Sequence, residues 1–156
     1  MNVKILYPVF EDIYDFFIRS FNEPKFFHYS APIITYFRSI DKKRKEQRMI
    51  INVQEKGVDI FCFFRKSFLF GNHFPCEKVE DALYYILYTW KQLKMNRFTD
   101  SLTVTGKYNQ NAELLEKLRL YIQQVDLEPV PATYQFENID TNNIPFEMAL
   151  FSLCEL

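Results

Sequence analysis

The chain has 156 residues, of which 48% are hydrophobic and 25% are charged, and its formal net charge at pH 7 is −1. This size and balance predict a folded globular protein large enough to bury a core of its own. A net charge near zero argues against a general attraction to nucleic acid or to an anionic membrane. The three cysteines are widely spaced and odd in number, so they indicate no disulfide framework.

The first eight residues contain no basic segment followed by an apolar stretch, so no signal peptide is predicted. The longest apolar run, residues 60–64, is far shorter than the ~20 residues that span a bilayer. We therefore expect a soluble cytoplasmic protein without membrane association. The aromatic share of 18% is high, which favours either a core rich in rings or a surface where rings meet a partner.

Residues 1–40 are predicted to form a strand, a helix, a short strand and a second helix. Apolar residues alternate at 3, 5 and 7, and then recur at helical spacing from 13 to 21. A short strand is predicted at 25–30, and Pro32 suits the first turn of the second helix. The helical positions in these two segments are Ile13, Phe16, Phe17, Phe21, Ile33, Ile34, Phe37 and Ile40.

Residues 41–48 are interpreted as a charged linker, because DKKRKEQR carries five basic and two acidic residues. A phosphate-binding or RNA-binding patch is the alternative, although no aromatic residues alternate with the basic ones. The residues that would form it are Lys42, Lys43, Arg44, Lys45 and Arg48.

Residues 49–156 are predicted to form an α/β unit that begins with an antiparallel meander. Three runs at 49–53, 58–64 and 68–74 have the composition of strands and are joined by short polar turns. The middle run is apolar on both faces apart from Asp59, as expected of a covered central strand. The meander is followed by a helix at 79–93, which has the strongest helical periodicity in the chain.

The remaining predicted elements are a strand, a helix, an edge strand and a last helix. Residues 101–105 alternate and end at Gly106, and Asn109 or Asn111 can cap the helix that follows. Two prolines limit 127–132 to an edge strand. The last helix, 144–153, is apolar almost all round, so we expect it to be buried in this chain or against another.

The sequence lacks the residues that several classes of enzyme need for their chemistry. The three glycines, Gly57, Gly71 and Gly106, are far apart, which excludes a P-loop and a dinucleotide-binding turn. His73 and Cys76 are the one tight pair of metal-ligating types, whereas zinc needs three or four ligands, so no metal site is predicted. Cys76 precedes a helix that could lower its thiol pKa.

Two segments are similar to the actin-like ATPase superfamily: INVQEKGVDIFCF at 51–63 corresponds to its second phosphate hairpin, and LTVTG at 102–106 to its adenosine-contacting strand and glycine turn. Two others, DALYYILYTWKQL at 81–93 and IPFEMALFSLCEL at 144–156, resemble an uncharacterised bacterial family of that superfamily, a domain of unknown function. The resemblance implies a ribonuclease-H-like second subdomain, with a three-stranded meander followed by helix, strand, helix, strand and helix. Residues 1–40 would then be the strand-helix-strand-helix remnant of a first subdomain whose start is absent.

The resemblance also implies a nucleotide site, and this sequence departs from its pattern. The segment at 51–63 has Asn52 and Gln54 where the superfamily hairpin has an aspartate and glycines, and it retains only Gly57. Gly106 is followed by Lys107 instead of a second glycine. A neutral amide does not supply the charge that holds hydrated Mg²⁺, so these five residues are predicted to form a degenerate nucleotide site.

These observations predict a non-catalytic protein-interaction or scaffolding domain, a pseudo-ATPase and not an enzyme, with a protein partner or a homo-oligomeric state. One alternative is an ATP- or ADP-binding protein without hydrolysis, in which Lys107 or the basic stretch contacts phosphate. A weaker alternative is an RNA-associated factor that uses the basic stretch. No cofactor is required by the leading interpretation.

Overall fold

A five-stranded mixed sheet forms the centre of the protein in this computed structural model, which describes residues 4–40, 46–65, 67–107, 112–131 and 144–151. The strand order is β3-β2-β1-β4-β5. β1 pairs antiparallel with β2, and β2 with β3, whereas β1–β4 and β4–β5 are parallel. The strands are β1 Gln47–Gln54, β2 Gly57–Phe64, β3 Ser67–Pro75, β4 Ser101–Gly106 and β5 Gln124–Leu127.

Helices cover the sheet on both faces, because the central strands β1 and β2 are buried along nearly their whole length. One face packs under α3 and α4, through β-strand residues such as Ile51, Ile60 and Val104 and helix residues such as Ile86 and Leu118. The other face packs under α2 and α5. The helices are α1 Glu11–Ser20, α2 Ser30–Ile40, α3 Val79–Gln92, α4 Ala112–Tyr121 and α5 Phe146–Ala149.

The second face carries the aromatic part of the core. Phe37 of α2 stacks on Phe146 of α5 with ring centroids 6.0 Å apart, and both rings belong to one buried cluster with Ile50 and Phe61. Arg48 also lies on this face, where its guanidinium is 4.9 Å from the Phe37 ring centroid. The ring-rich core expected from the composition is therefore present on this side of the sheet.

The α/β fold class and the meander predicted for 49–75 are confirmed, and α3, β4 and α4 lie where the sequence places them. The edge strand is β5, which begins at Gln124, three residues before the predicted start at 127. β1 begins at Gln47, inside the predicted linker, while residues 41–45 lie outside the described part of the chain. The proposed division at 41–48 stays a prediction.

The two strands predicted within 1–40 are wrong for the residues described, 4–40, where the structure has α1 and α2 but no strand. The alternation at 5 and 7 meets no neighbouring strand, and an isolated extended segment without ladder partners is not a β-strand. The residues that join the two helices, 21–29, are likewise irregular.

The predicted last helix is shorter and less buried than its composition indicates. α5 spans Phe146–Ala149, and residues 152–153 lie outside the described ranges. Phe146, Ala149 and Leu150 are buried, but the side chain of Met148 is 59% exposed. The helix therefore has one buried side and one exposed side. Among the described residues, no helix has the length and apolar character needed to cross a bilayer.

Candidate functional site

A row of polar side chains crosses the sheet near the carboxyl ends of β1 and β4. His73 of β3 is registered with Asp59 of β2, Asp59 with Asn52 of β1, and Asn52 with Thr105 of β4. All four lie on the face that carries α2 and α5, because the residues that alternate with them belong to the opposite core. We call these four residues the polar row.

Asp59 is the centre of the polar row and is 1% exposed. Its Oδ1 accepts hydrogen bonds from the Tyr29 hydroxyl at 2.9 Å and from His73 Nδ1 at 2.8 Å. Its Oδ2 accepts from Asn52 Nδ2 at 3.1 Å and from Gln54 Nε2 at 2.7 Å. Because a carboxylate has about four acceptor positions, these four donors compensate for its removal from water.

A second carboxylate reaches the same amide from α5. Asn52 Nδ2 also donates to Glu147 Oε2 at 3.2 Å, so one side-chain amide connects two acids that are far apart in sequence. Asn52 Oδ1 and Thr105 Oγ1 are buried atoms without a hydrogen-bond partner within the part of the chain that the structure describes. The amide orientation follows from the network, since both of its neighbours are acceptors.

Burial and the Asp59 carboxylate together shift the pKa values of Tyr29 and His28. Desolvation is the main reason that the pKa of Tyr29 is raised well above its ordinary value, and the charge of Asp59 and its hydrogen bond add to the shift. Burial lowers the pKa of His28, which the Asp59 charge partly opposes. Both side chains border a cavity of about 380 Å³ that lies between residues 4–6, the start of α2 and the β2–β3 hairpin.

The five residues predicted from the sequence lie at one end of the sheet. Asn52, Gln54, Gly106 and Lys107 line a cavity of about 140 Å³ together with Glu147 and residues 144–146. Gly57 does not line this cavity and instead borders a separate recess that contains Cys76. The structure thus brings four of the five together, in a space smaller than the ~300–1,000 Å³ of typical small-molecule sites.

Gly106 and Lys107 lie close to the backbone of Val53 in the neighbouring strand β1. Gly106 has φ +79°, and a Cβ there would lie 2.4 Å from both Asn52 Oδ1 and the Val53 carbonyl oxygen. The next residue, Lys107, donates its backbone N–H to the same Val53 oxygen at 2.7 Å. The Lys107 ammonium is 3.5 Å from Glu55 Oε2. The turn after β4 therefore requires glycine for its geometry, whether or not phosphate ever binds there.

The sequence did not predict a role for either acid, Asp59 or Glu147. Asp59 was only a polar exception in a central strand, and the hairpin was predicted to lack the charge of its counterparts. The signal for Asp59 was present, because a buried acid needs partners and a two-residue turn after Gln54 fixes Asn52 opposite Asp59. For Glu147 no local signal exists, since its partner Asn52 is 95 residues away.

Two further expectations about single residues are wrong. Arg48 does not belong to an exposed basic patch: it is 4% exposed and its Nε donates to Thr103 Oγ1 at 2.9 Å. The remaining members of that patch, residues 42–45, lie outside the described residues. Cys76 is not activated by the helix that follows it, since burial raises the pKa of its thiol and the Asp81 charge raises it further. The buried Cys62 thiol has its pKa raised to about 12 by desolvation.

A second candidate site is the aromatic arm, which we define as residues 9–27. It contains α1, none of whose ten residues is buried. The chain after the helix folds back along it, with Phe26 stacked on Tyr14 at a centroid distance of 5.3 Å and Phe17 stacked on Phe21 at 5.5 Å. Nine large apolar side chains of the arm are 36% to 81% exposed: Val9, Phe10, Ile13, Tyr14, Phe16, Phe17, Ile18, Phe21 and Phe27.

Comparison with known proteins identifies relatives without an assigned activity. A family model described as "Protein of unknown function (DUF3822)" matches residues 1–125. A crystal structure from Bacteroides thetaiotaomicron VPI-5482, described as a protein with actin-like ATPase fold and unknown function, is similar at 33% identity and a TM-score of 0.72. The match covers 77% of this chain and 47% of that one, so this chain spans about half the length of that relative. No protein of curated function matches.

Proposed function

The chain belongs to the DUF3822 family and has the ribonuclease-H-like, actin-like ATPase fold, and from that premise we propose that it is a non-catalytic protein-interaction domain. The observation that carries this proposal is the aromatic arm, an amphipathic helix and its return segment, whose apolar side chains are exposed among the residues that the structure describes. Exposed apolar patches on monomers are usually smaller than about 600 Å², and rings are enriched where proteins meet.

The arrangement around Asp59 supports the non-catalytic part of the proposal. In a phosphoryl-transfer site a carboxylate contacts a metal ion or orients the attacking water. Here both oxygens of Asp59 already accept two hydrogen bonds each from the chain's own side chains. Each of these donors would have to move before the carboxylate could contact a ligand. Asp59 therefore joins Tyr29, β1 and β3 as a structural connection.

A site-specific photo-crosslinker tests the interaction surface. Phe16 in the arm and Phe98 in the loop before β4 are matched, since their exposed fractions are 62% and 60%. With benzoyl-phenylalanine at either position, irradiation in the host cell should give an adduct of defined mass from position 16 and none from position 98. Absence of any adduct at position 16 contradicts the proposed surface.

An activity measurement tests the other half of the proposal. We expect ATP turnover by the purified protein to equal that of the Asp59→Asn variant. Turnover that is well above background, and that is abolished in an Asp59→Asn variant with the circular dichroism of the wild type, would show a catalytic carboxylate and would overturn the non-catalytic assignment, whatever the crosslinking shows.

Nucleotide binding without hydrolysis is the second candidate function. It is favoured by one observation, the positive φ of Gly106 beside Lys107 at the carboxyl ends of two parallel strands, where open α/β sheets bind ligands. A ligand at ~100 times its Kd adds about 2.7 kcal/mol to the free energy of unfolding. Millimolar Mg-ADP should then raise the melting temperature of the native protein and not that of Lys107→Ala; equal melting curves with and without nucleotide would reject it.

A further inference from the structure

We infer that the cavity of about 380 Å³ beside Asp59 binds a small neutral molecule that carries a carboxamide or lactam group on an apolar body. The cavity lies between residues 4–6, the start of α2 and the β2–β3 hairpin. Its volume is within the ~300–1,000 Å³ of typical small-molecule sites. The described residues that line it lie outside the aromatic arm, so the inference goes beyond the proposed function and does not depend on it.

The chain contains two histidines, His28 and His73, and both line this cavity. His73 Nδ1 is 2.8 Å from Asp59 Oδ1. Because a carboxylate can only accept, Nδ1 carries the hydrogen of this bond. In the neutral ring the Nε2 atom is then a hydrogen-bond acceptor. Asp59 therefore determines what His73 can offer to a ligand.

His28 has the opposite arrangement of donor and acceptor. The backbone N–H of Ser30 donates to His28 Nδ1 at 3.3 Å, and the Ser30 hydroxyl oxygen is 2.7 Å from the same atom. Because a backbone N–H can only donate, Nδ1 is the acceptor and the hydrogen of the neutral ring is on Nε2. Burial lowers the pKa of His28 against the opposing charge of Asp59, which favours the neutral ring near pH 7.

The cavity wall therefore carries one ring donor and one ring acceptor. Among the described residues, the structure gives neither Nε2 atom a hydrogen bond. A ligand that satisfies both nitrogens must accept from His28 and donate to His73. A carboxamide or lactam does both through neighbouring atoms and carries no charge.

The same assignments argue against charged ligands. A histidine that binds a metal ion through Nε2 donates from Nδ1, whereas Nδ1 of His28 is an acceptor. A carboxylate has no hydrogen for His73 and would be repelled by the Asp59 charge. Asp59 offers little to a cationic ligand, since four side chains of the protein already donate to its two oxygens.

The remaining wall of the cavity suits an apolar body. Ile34 of α2 and Phe61 of β2 are 5% and 4% exposed, so they belong to the packed core. Phe68 of β3 makes an edge contact with Phe63, with ring centroids 5.4 Å apart. Residues 5–6 add two more apolar side chains. Apolar walls with a few placed polar groups are typical of sites for small molecules.

Histidine side-chain NMR of the full chain at about pH 8 tests the inference, with benzamide as the probe and benzoate as its charged counterpart. Because the chain has two histidines, a long-range proton–nitrogen spectrum contains two ring systems, which the H28F variant assigns. In the free protein we expect hydrogen on Nε2 of His28 and on Nδ1 of His73. Millimolar benzamide should shift the Nε2 signals of both rings, and benzoate at the same concentration should shift neither.

H28F is the variant that removes the ring donor. It keeps an aromatic ring beside Tyr7 and Tyr29, and the loss of one hydrogen bond should weaken benzamide binding about ten-fold. Y7F is its matched control, because Tyr7 contacts the His28 ring without lining the cavity. Benzamide titrations followed at the His73 signals should give Y7F the wild-type Kd.

Three results with the wild-type protein would overturn the inference, whatever the variants do. They are a hydrogen on Nδ1 of His28, no shift of either ring with benzamide, and equal shifts with benzamide and benzoate. A wild-type Kd in an H28F protein that keeps the wild-type circular dichroism would overturn it as well. None of these results touches the proposed function, which is tested by crosslinking from the aromatic arm.

Discussion

The polar row and the aromatic arm use their side chains in opposite ways. The polar row connects Tyr29, β1, β2 and β3 through the buried carboxylate of Asp59, and Asn52 extends it to Glu147 of α5 by a hydrogen bond that spans 95 residues of sequence. The ring contacts of the arm among residues 14–26 are all local. In the polar row, polar groups hold distant segments together. In the aromatic arm, apolar groups remain in contact with water.

This difference implies that the polar row contributes to the stability of the fold, whereas the aromatic arm contributes to association with a partner. Removing a buried charge's partner, or the charge itself, leaves several polar groups unsatisfied in a low-dielectric environment. Removing an exposed ring leaves no cavity and no unsatisfied group. Substitutions in the polar row should therefore reduce the free energy of unfolding, whereas substitutions in the arm should change association and leave unfolding nearly unchanged.

Asp59→Ala should have the largest effect on stability. The change leaves the Tyr29 hydroxyl, two side-chain amides and the His73 ring nitrogen without their common acceptor. At ~1–3 kcal/mol for each unsatisfied buried group, and with some relaxation, we expect a loss of about 4 kcal/mol in the free energy of unfolding, measured by urea denaturation.

The matched control is Asp15→Ala in the arm, where the carboxylate is half exposed and pairs with Arg19 one helical turn away at 3.4 Å. Its cost should be within about 0.5 kcal/mol. A cost below about 1 kcal/mol for Asp59→Ala would mean that the polar row does not hold its elements together, and the contrast between the two regions would disappear.

Gly106→Ala should have the next largest effect, through the backbone instead of through charge. Gly106 has φ +79°, and an added Cβ would meet Asn52 Oδ1 and the Val53 carbonyl oxygen at 2.4 Å. The left-handed conformation costs an L-residue about 1–2 kcal/mol, and displacement of Asn52 adds to it. We expect a loss of about 3 kcal/mol in unfolding free energy.

Lys107→Ala is the control for this turn, because it keeps the backbone hydrogen bond to the Val53 oxygen and changes only the side chain. Its melting temperature should stay close to the wild-type value. If Gly106→Ala were equally harmless, the glycine would have to be explained by ligand access, which would favour the nucleotide-binding alternative over the structural reading of this turn.

Tyr29→Phe should have a moderate effect that depends on pH. Loss of the hydrogen bond to Asp59 should cost about 1 kcal/mol. Burial, and then Asp59, raise the pKa of Tyr29 above its ordinary value of 10.0. A raised pKa contributes stability that is complete below pH 10 and is lost as the pH rises above it. The difference between wild type and Tyr29→Phe should therefore shrink above pH 10.

Tyr14→Phe in the arm provides the comparison, because this ring is 47% exposed and is stacked on Phe26. Within the described part of the chain its hydroxyl has no buried hydrogen-bond partner. Urea denaturation below and above pH 10 is the measurement for both variants. A difference for Tyr29→Phe that grows with pH would contradict the sign of the argument.

The periodicity of the sequence was sufficient for the sheet and its covering helices, because each of those elements buries a face. Alternation and helical spacing report burial, and the predicted meander, α3, β4 and α4 all pack against the core. The same reasoning was wrong for the strands predicted near 5–7 and 25–30, where no neighbouring strand supplies a ladder. Periodicity also could not show that the stripe on α1 remains uncovered.

The sequence predicted where the candidate site lies but did not predict that two carboxylates belong to it. The hairpin and the turn at Gly106 were identified from their local sequence, and four of the five predicted residues share one cavity. The carboxylates were missed because Asp59 becomes significant only through partners from three other segments, and Glu147 arrives from α5. Long-range hydrogen bonds leave little trace in local spacing.

Phe16→Ala should have the smallest effect on stability and gives the sharpest comparison of two rings. Phe16 is 62% exposed in the arm, whereas Phe37 of α2 is 1% exposed. Phe37→Ala creates a cavity and should cost about 3–5 kcal/mol, while Phe16→Ala should change the free energy of unfolding by no more than about 0.5 kcal/mol. Both values are measured by urea denaturation at low protein concentration, so that association does not contribute. A large cost at low concentration would mean that the arm packs against its own chain in solution, and the surface proposed here for a partner would not exist.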